Sequence, residues 1–299
     1  MNTRKDKYDI SGKVHIREGE EKIHAMMEQY EGVIIWDLPS SVRNRYLKYC
    51  FSHSIRCYMS PKISDIILLG TDRIHLFDTP LLLCRNQGLS MEQRAAKRVL
   101  DIVVSGLGII VSSPIMLIIA IAVKAYDGGP VFYLQDRLTY KGKQFRIRKF
   151  RSMCVDSEKN GARLASKHDS RITPVGHVLR NLHLDELPQL FNVFMGDMSL
   201  VGPRPERDVI MQEYEKEIPE FHYRLKVKAG LTGYAQVYGK YNTTPYDKLK
   251  LDLFYIENYS FLLDIKLLFM TVKIFFQKEV SEGVDDDQKN ALKDSQEEK

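Results

Sequence analysis

The longest apolar segment of the chain is the 22-residue run from Ile102 to Val123, which contains no charged side chain. A straight helix of that length would measure about 33 Å, enough to cross a bilayer core of about 30 Å. However, Ser113-Pro114 lies near its middle, where proline removes a backbone donor and clashes with the preceding turn. Basic residues, which favour the cytoplasmic side, flank both ends: they are Arg94, Lys97 and Arg98 before it and Lys124, Arg137, Lys141 and Lys143 after it. We therefore predict a re-entrant helical hairpin over 98–124, with a proline-kinked spanning helix as the alternative.

The part of the chain before this run alternates short apolar stretches with helical patterns between residues 13 and 83. Residues 32–38 have the pattern of a buried strand, and a helix is predicted over 40–53, after Pro39. This alternation predicts a small Rossmann-like α/β unit. No GxGxxG sequence follows a strand, so no nucleotide site is predicted in it. A structural or regulatory role is the simplest interpretation.

The remaining segments complete the predicted organisation. Residues 251–276 mix aromatic and aliphatic side chains with Asp264, Lys266 and Lys273. This mixture is too charged for a spanning helix and is typical of amphipathic helices in the membrane interface; a helix packed on the protein core is the alternative. The acidic residues 280–299 are predicted to be disordered. We thus predict a small α/β domain (1–90), a membrane-associated α+β domain (91–279) and a tail (280–299).

Composition narrows the class of protein. With 299 residues, 44% of them hydrophobic and 28% charged, the chain can form two packed domains and is not a collagen-like or wholly disordered protein. Its four cysteines form neither a disulfide framework nor a CxxC pair, which indicates a reducing, cytoplasmic setting. A net charge of +5 is too small to predict a nucleic-acid partner. Charges throughout the amino-terminal segment argue against a secretory signal.

Candidate chemistry lies in the basic middle of the chain. Residues 137–151 contain seven Lys or Arg, among them Lys149 and Arg151, and no acid. Such a segment fits phosphate groups, anionic lipid headgroups or simply a solvated strand face. Further along, the adjacent carboxylates Asp185 and Glu186 can share work as nucleophile and proton carrier, or hold a divalent cation. Adjacent side chains diverge by about 100° on a helix, so both reach one site only at a helix end or cleft edge.

Arginines near this carboxylate pair favour phosphate chemistry. Arg180 lies five residues before Asp185, and Arg204 stands between Pro203 and Pro205, where its guanidinium group would be pre-organised. Carboxylates alone repel an anionic substrate, so Mg²⁺ or guanidinium groups must bring the two together.

Seven motifs, in order from about residue 92 to residue 277, resemble those of the bacterial sugar transferases, also called monotopic phosphoglycosyl transferases. They are Lys97-Arg98-Val-Leu-Asp101, Ser113-Pro114, Lys149-Phe-Arg-Ser-Met153, Leu184-Asp-Glu-Leu-Pro-Gln-Leu190, Gly196-Asp-Met-Ser199, Val201-Gly-Pro-Arg-Pro205 and Gly230-Leu-Thr-Gly-Tyr-Ala-Gln236.

The resemblance implies an enzyme at the cytoplasmic face of the bacterial inner membrane. Its reaction would transfer a sugar-1-phosphate from a UDP-sugar to undecaprenyl phosphate, release UMP and initiate capsule, exopolysaccharide or other glycan assembly. Asp185 would be the nucleophile and carry the phosphosugar covalently, Glu186 would assist it, and Mg²⁺ would bind at the pair, on Asp185. A non-catalytic membrane partner in polysaccharide assembly and a metal-dependent lipid-phosphate hydrolase are the alternatives.

The resemblance also assigns supporting roles. Phosphate-contacting positions would be Arg180, Lys149, Arg151 and Lys240, and Pro203-Arg204-Pro205 would lie near the uridine nucleotide. The membrane hairpin would include Lys97, Arg98, Asp101, Ser113 and Pro114. Two positions depart from the family pattern: His183 replaces a usual Ser or Thr, and Lys240 replaces an arginine and loses its bidentate fork. The sugar, the glycan pathway, the role of residues 1–90 and a homo-oligomeric state stay open.

Overall fold

The computed structural model describes residues 9–84, 88–155, 169–239 and 243–275. The chain divides into two compact units, Met1–Lys62 and Ile63–Lys299. Ile63 and Ile66 belong to the hydrophobic core of the second unit, although the sequence analysis assigned them to the amino-terminal domain. The division into 1–90, 91–279 and 280–299 stays a prediction, and the tail lies outside the described residues.

The first unit contains one parallel strand pair joined by a helix. Its elements are α1 (Glu20–Met27), β1 (Gly32–Ile35), α2 (Ser40–Ser52) and β2 (Arg56–Met59). β1 and β2 pair in parallel from Gly32 opposite Arg56 to Ile35 opposite Met59, and α2 supplies the crossover that parallel strands need. The core consists of Ile23, Met27, Ile35, Tyr46 and Cys50. The α/β pattern is confirmed, but a Rossmann-like unit is not, because the described part of the first unit contains a single strand pair.

The second unit arranges helices around short strand pairs. It begins with α3 (Ile63–Leu69) and the antiparallel strands β3 (Asp72–Leu76) and β4 (Thr79–Leu83). A long helix, α4 (Met91–Asp127), precedes a second antiparallel pair, β5 (Phe132–Leu138) and β6 (Gln144–Phe150). The remaining elements are α5 (Pro174–Asn181), α6 (Gln189–Met195), β7 (Ser199–Val201), α7 (Asp208–Glu217), β8 (Gly230–Thr232), α8 (Tyr234–Tyr238), α9 (Pro245–Glu257) and α10 (Phe261–Phe275). β7 and β8 pair in parallel. The fold is therefore mixed α/β.

The predicted membrane segment forms one α-helix of 37 residues, α4. The helix begins at a capping box in which Ser90 Oγ accepts from the Gln93 N–H and the Gln93 side chain accepts from the Ser90 N–H. Pro114 lies inside the helix and cannot donate to the Ile110 carbonyl. The Ser113 hydroxyl donates to that carbonyl instead, at 2.8 Å.

This hydrogen bond from the Ser113 hydroxyl explains why the helix continues through Ser113-Pro114, where the sequence predicted a break between two helices. The re-entrant hairpin over 98–124 is therefore not confirmed, and the path of α4 relative to a bilayer stays a prediction. Within the described residues, α4 is the one helix long and apolar enough to cross a membrane, judged by its length and composition. Exposed apolar side chains cover its outer face: Leu107, Ile110, Val111, Leu117, Ile118 and Ile121.

Buried polar groups bind the first turns of α4 to the rest of the second unit. Lys97 Nζ donates to Asp264 Oδ2 at 2.6 Å and to Tyr255 Oη at 3.0 Å, and all three side chains are buried. Arg98 donates from both terminal nitrogens to two carbonyls at the end of α6, each at 2.8 Å. Lys97 thus lies in a buried ion pair, and Arg98 satisfies the last carbonyls of a helix.

Asp101 fixes α4 to β7, because its Oδ1 accepts from Ser199 Oγ at 2.9 Å and from the Leu200 N–H at 2.8 Å. The last turns of α4 contribute a second, apolar contact to the same unit. They pack in a cluster of buried residues formed by Met116, Ile119, Val123, Phe150 and Leu179. Both ends of α4 therefore rest on one compact body.

The segment predicted to form interfacial helices lies in α9 and α10. α9 contributes to the core through Leu249 and Leu253. α10 buries Asp264 and Leu267 but leaves Leu262 and Phe269 about three-quarters exposed, at 75% and 72%. The exposed apolar face agrees with an interfacial helix, and its contact with lipid stays a prediction.

Candidate functional site

Asp185 and Glu186 occupy a short 3-10 helix, Leu184–Glu186, between α5 and α6. His183 enters this turn with a left-handed backbone (φ 53°), Leu187 follows its last residue, and Pro188 is the N-cap residue of α6. The carboxylates therefore lie at a helix end, as an adjacent pair must if both are to face one site. β6 passes beside this turn and brings Lys149 to it.

Two cations hold Glu186 by the same oxygen. Its Oε1 accepts from Lys149 Nζ at 2.6 Å and from an Arg204 terminal nitrogen at 2.8 Å. Burial raises the pKa of the Glu186 carboxyl, but the charges of Arg204 and Lys149 outweigh burial and hold this pKa well below its usual range. Glu186 is therefore ionised, and its Oε1 already accepts from two cationic side chains. The same burial lowers the pKa of the Lys149 ammonium, and the charge of Glu186 partly restores it.

Asp185 differs from its neighbour because its carboxylate makes no hydrogen bond or ion pair with any described residue. Its side chain is half-buried. Burial raises the pKa of Asp185, as does the charge of Glu186, while Lys149, Arg180 and His183 lower it. The pair thus consists of one carboxylate held by cations and one with free oxygens beside them.

The loop after β7 brings Arg204 to the carboxylates. This loop begins at Gly202, which lies against the segment that leads into β8: a Cβ on Gly202 would lie 2.4 Å from the Lys228 carbonyl oxygen. Only glycine fits at such an approach. Arg204 leaves this loop between two buried prolines, and its side chain is 49% exposed. The guanidinium group therefore touches Glu186 and retains a free surface for a ligand.

The predicted site residues separate into two groups. The structure brings together Asp185, Glu186, Lys149, Arg204 with its flanking Pro203 and Pro205, and Arg180, which is near enough to lower the pKa of Asp185. Arg151 lies elsewhere: it is buried and forms an ion pair with Asp127 at the end of α4. Lys97, Arg98, Asp101, Ser113 and Pro114 all belong to α4 and its anchors. Lys240 lies outside the described residues.

The carboxylate pair can supply only part of the coordination shell of Mg²⁺. Among the described residues, no group of three or more His, Cys, Asp or Glu side chains could hold a metal ion. Asp185 nevertheless offers unpartnered carboxylate oxygens, which are the ligands that Mg²⁺ prefers. Mg²⁺ usually takes one or two protein carboxylates and completes its shell with water and substrate phosphates. The residues present fit such a substrate-completed ion.

Sequence reasoning missed the side chain that sets the spacing of this site. Asn192 is fully buried in α6; its Oδ1 accepts from the Arg148 N–H at 3.0 Å and its Nδ2 donates to the Arg146 carbonyl at 2.8 Å. It therefore ties α6, which follows the carboxylates, to the backbone of β6 directly beside Lys149. The signal in the sequence is an asparagine within the apolar run Leu190-Phe-Asn-Val-Phe194, because a buried amide requires partners.

Comparisons with known proteins agree on one family. The sequence profile described as bacterial sugar transferase matches residues 92–278. A similar protein is the UDP-N-acetylgalactosamine-undecaprenyl-phosphate N-acetylgalactosaminephosphotransferase of Aeromonas hydrophila, 44% identical over 180 residues, which are 59% of this chain and 43% of that protein.

Two further relatives carry other sugar names. The UDP-glucose:undecaprenyl-phosphate glucose-1-phosphate transferase of Klebsiella pneumoniae is 43% identical over 208 residues, 68% of this chain and 43% of that protein. The undecaprenyl-phosphate galactose phosphotransferase of Salmonella typhimurium is 37% identical over 237 residues, 73% of this chain and 49% of that protein. The chain spans less than half the length of each of these three relatives, and their names differ in the sugar.

The unequal environments of the two carboxylates predict unequal reactivity toward a water-soluble carbodiimide, which reacts with protonated carboxyl groups. At mildly acidic pH, Asp185, whose pKa is raised, should be modified faster than Glu186, whose pKa is held low by two cations. Peptide mass spectrometry with a nucleophilic amine as the trapping reagent measures both rates. Asp208, an exposed carboxylate in the same unit, serves as the internal reference. Modification of Glu186 as fast as Asp185 would contradict the assignment.

Proposed function

The chain belongs to the bacterial sugar transferase family, and from this premise we propose that it transfers a sugar-1-phosphate from a UDP-sugar to undecaprenyl phosphate. The observation that carries the proposal is the pair of carboxylates in which Glu186 is held by Lys149 and Arg204 while Asp185 is free. The relatives named above supply the donor and acceptor classes by their names. The identity of the sugar is left open.

In the first step, an oxygen of Asp185 attacks the phosphorus that bears the sugar. A new bond forms between this oxygen and phosphorus, and the bond between that phosphorus and the bridging oxygen of the diphosphate breaks. UMP leaves with the bridging oxygen and its electron pair. The enzyme retains the sugar-1-phosphate as an acyl phosphate on Asp185. A carboxylate without hydrogen bonds is suited to this attack, since no donor must be displaced from it.

In the second step, an oxygen of undecaprenyl phosphate attacks the same phosphorus. The bond to Asp185 breaks, the carboxylate is restored, and the product is undecaprenyl-diphosphate-sugar. Both steps place negative charge near Lys149 and Arg204, which are already fixed by Glu186 and need little reorganisation to stabilise it. Arg180 adds a third positive charge near Asp185.

The anionic diphosphate must approach a carboxylate, and Mg²⁺ would neutralise part of its charge when bound. Asp185 would hold the ion, together with oxygens of the substrate. Lys149 and Arg204 would orient the donor, and the half-exposed Arg204 side chain is available to a donor phosphate.

We further propose that α4, although a continuous helix, bends at Pro114, where helices commonly kink, so that it enters one leaflet and returns and the site faces the cytoplasmic side of the bacterial inner membrane. Its outer face is apolar and exposed, which suits lipid. Its first turns contact β7 and α10, and its last turns contact β6 and α5, all in one compact unit. A helix that crossed the bilayer would separate these two ends by about 30 Å of hydrocarbon. The hydrogen bond from Ser113 to Ile110 satisfies the carbonyl that Pro114 would otherwise leave bare in lipid.

A covalent intermediate predicts a stoichiometric burst of UMP when the acceptor is absent. Full-length protein in detergent with a matching UDP-sugar should gain the mass of a sugar-1-phosphate, minus water, on the peptide that contains Asp185. Asp185→Asn should lose this adduct and slow turnover by about 10³-fold or more, as removal of a nucleophile does. Intact-protein and peptide mass spectrometry measure the adduct, and a coupled assay measures UMP.

The matched control is Asp208→Asn, which removes an exposed carboxylate of the same unit and should retain both burst and adduct. Undiminished turnover in Asp185→Asn, across a panel of UDP-sugars, would contradict the proposal. Release of free sugar-1-phosphate without any adduct would favour simple hydrolysis.

The proposed membrane path predicts labelling of both ends of α4 from the cytoplasm. In a background without the four native cysteines, Met91→Cys and Tyr126→Cys introduce thiols at exposed positions near the two ends. A membrane-impermeant maleimide should label both in inverted inner-membrane vesicles and neither in intact spheroplasts. Permeabilised membranes control for intrinsic reactivity. Labelling of the two positions from opposite sides would establish a spanning helix instead.

A further inference from the structure

The loop that carries Arg204 is held by four consecutive backbone carbonyls, residues 203–206. The Pro203 carbonyl accepts from the Gly230 N–H at 2.9 Å, and the Glu206 carbonyl accepts from the Leu138 N–H at 3.0 Å. Between them, the two middle carbonyls accept from side chains: Arg204 O from Arg224 Nη2 and Pro205 O from Arg137 Nη1, each at 3.1 Å. Two prolines lack N–H donors, so this loop cannot fix itself by internal turns and depends on these outside donors.

The two guanidinium groups that hold the loop are themselves fixed by acids. Glu206 lies between them, with Oε2 at 3.7 Å from Arg137 Nη1 and Oε1 at 3.6 Å from Arg224 Nη1. Asp252, on α9, places Oδ2 at 2.8 Å from Arg224 Nη2. Arg224 and Asp252 are almost fully enclosed, with 4% and 1% of their surface exposed. Two arginines and two acids thus form one charged cluster under the loop, enclosed at Arg224 and Asp252 and partly exposed at Arg137 and Glu206.

Such a cluster is a costly way to fill space. Desolvation of each ion costs several kcal/mol, and apolar residues of similar volume often stabilise a protein as well or better. What charged groups provide, and apolar groups do not, is a defined direction for each donor. Here those donors end on the carbonyls of Arg204 and Pro205, so they fix the backbone from which the Arg204 side chain extends.

We propose that Arg224 and Arg137, oriented by Glu206 and Asp252, are positioning residues that aim Arg204 at Glu186 and at the donor phosphate. Arg224 is buried and its Nη2 donates to the Arg204 carbonyl, so we assign it a role that acts through the Arg204 backbone. The inference rests on the proposed function, because it assigns Arg204 a role in donor binding or in stabilising transferred charge. It extends the site from the side chain of one arginine to a cluster that joins the guanidinium groups of Arg137, on β5, and Arg224, after α7, with the carboxylate of Asp252 on α9.

A double-mutant cycle separates positioning from general stability, since residues that act through one another give effects that do not multiply. The variants are Arg224→Lys, Arg204→Ala and the double variant, each as full-length protein in detergent. Arg224→Lys retains the positive charge beside Asp252 but loses the planar fork that reaches Asp252, Glu206 and the Arg204 carbonyl together. We expect it to lower kcat/KM for UMP release about tenfold with Arg204 present. With Arg204→Ala, the same change should lower it less than about twofold.

A second cycle with Arg137→Lys tests the donor to the Pro205 carbonyl. It provides an independent result if Arg224→Lys fails to fold. Lys250→Met is the matched control, because Lys250 lies on α9 beside Asp252 but pairs with Asp247, away from the loop. It should leave kcat/KM unchanged in both backgrounds. Equal fold-losses from Arg224→Lys and from Arg137→Lys in the presence and absence of Arg204 would overturn the proposal and leave the cluster a structural element.

The wild-type chain, assayed in parallel, distinguishes this inference from the function on which it rests. If the wild type turns over and the losses in kcat/KM multiply in both cycles, the positioning role is refuted and the transferase function is retained. A wild type that neither releases UMP nor forms an adduct with any UDP-sugar would remove the proposed function and, with it, the role assigned to Arg204.

Discussion

The site depends on how two neighbouring carboxylates divide the positive charge around them. Lys149 and Arg204 converge on one oxygen of Glu186, and this leaves Asp185 without a partner among the described residues. Had the cations paired with one carboxylate each, neither would be a good nucleophile, because each would first have to give up a charged hydrogen bond. Glu186 therefore holds both cations beside Asp185 and leaves the Asp185 carboxylate without a partner among the described residues.

The surrounding fold serves to bring these four side chains together from distant parts of the chain. Lys149 comes from β6, the carboxylates from the turn between α5 and α6, and Arg204 from the loop after β7. α4 links these elements, since Asp101 holds β7 and Arg98 holds the end of α6. The apolar helix α4 and the turn that carries the two carboxylates are therefore parts of one packed body. This arrangement suits a reaction whose acceptor phosphate stays at the depth of the lipid headgroups.

Local sequence signals predicted the family, the mixed α/β fold and the residues that meet at the site, because those signals are short motifs whose order along the chain is itself informative. They failed where a residue's role depends on a distant partner. Lys97 and Asp101, predicted as part of the membrane hairpin, also make buried contacts with α10 and β7 that no local motif indicates. Arg151 pairs with Asp127 rather than with the carboxylates. The cluster of Arg137, Glu206, Arg224 and Asp252 could not be predicted, since its members lie far apart in sequence and carry no motif. The helix through Pro114 differs from the predicted break because one hydroxyl replaces the lost backbone bond.

The charge of Lys149, which is bonded to Glu186, favours the ionised form of the neighbouring Asp185. The pH dependence of UMP release measures this effect. The rate should fall toward acid as Asp185 becomes protonated, and the charge of Lys149 lowers the pKa of Asp185. Lys149→Met should therefore move the acid limb of the profile to higher pH, whatever its effect on the maximal rate. An acid limb that stays in place, or moves to lower pH, would contradict the account.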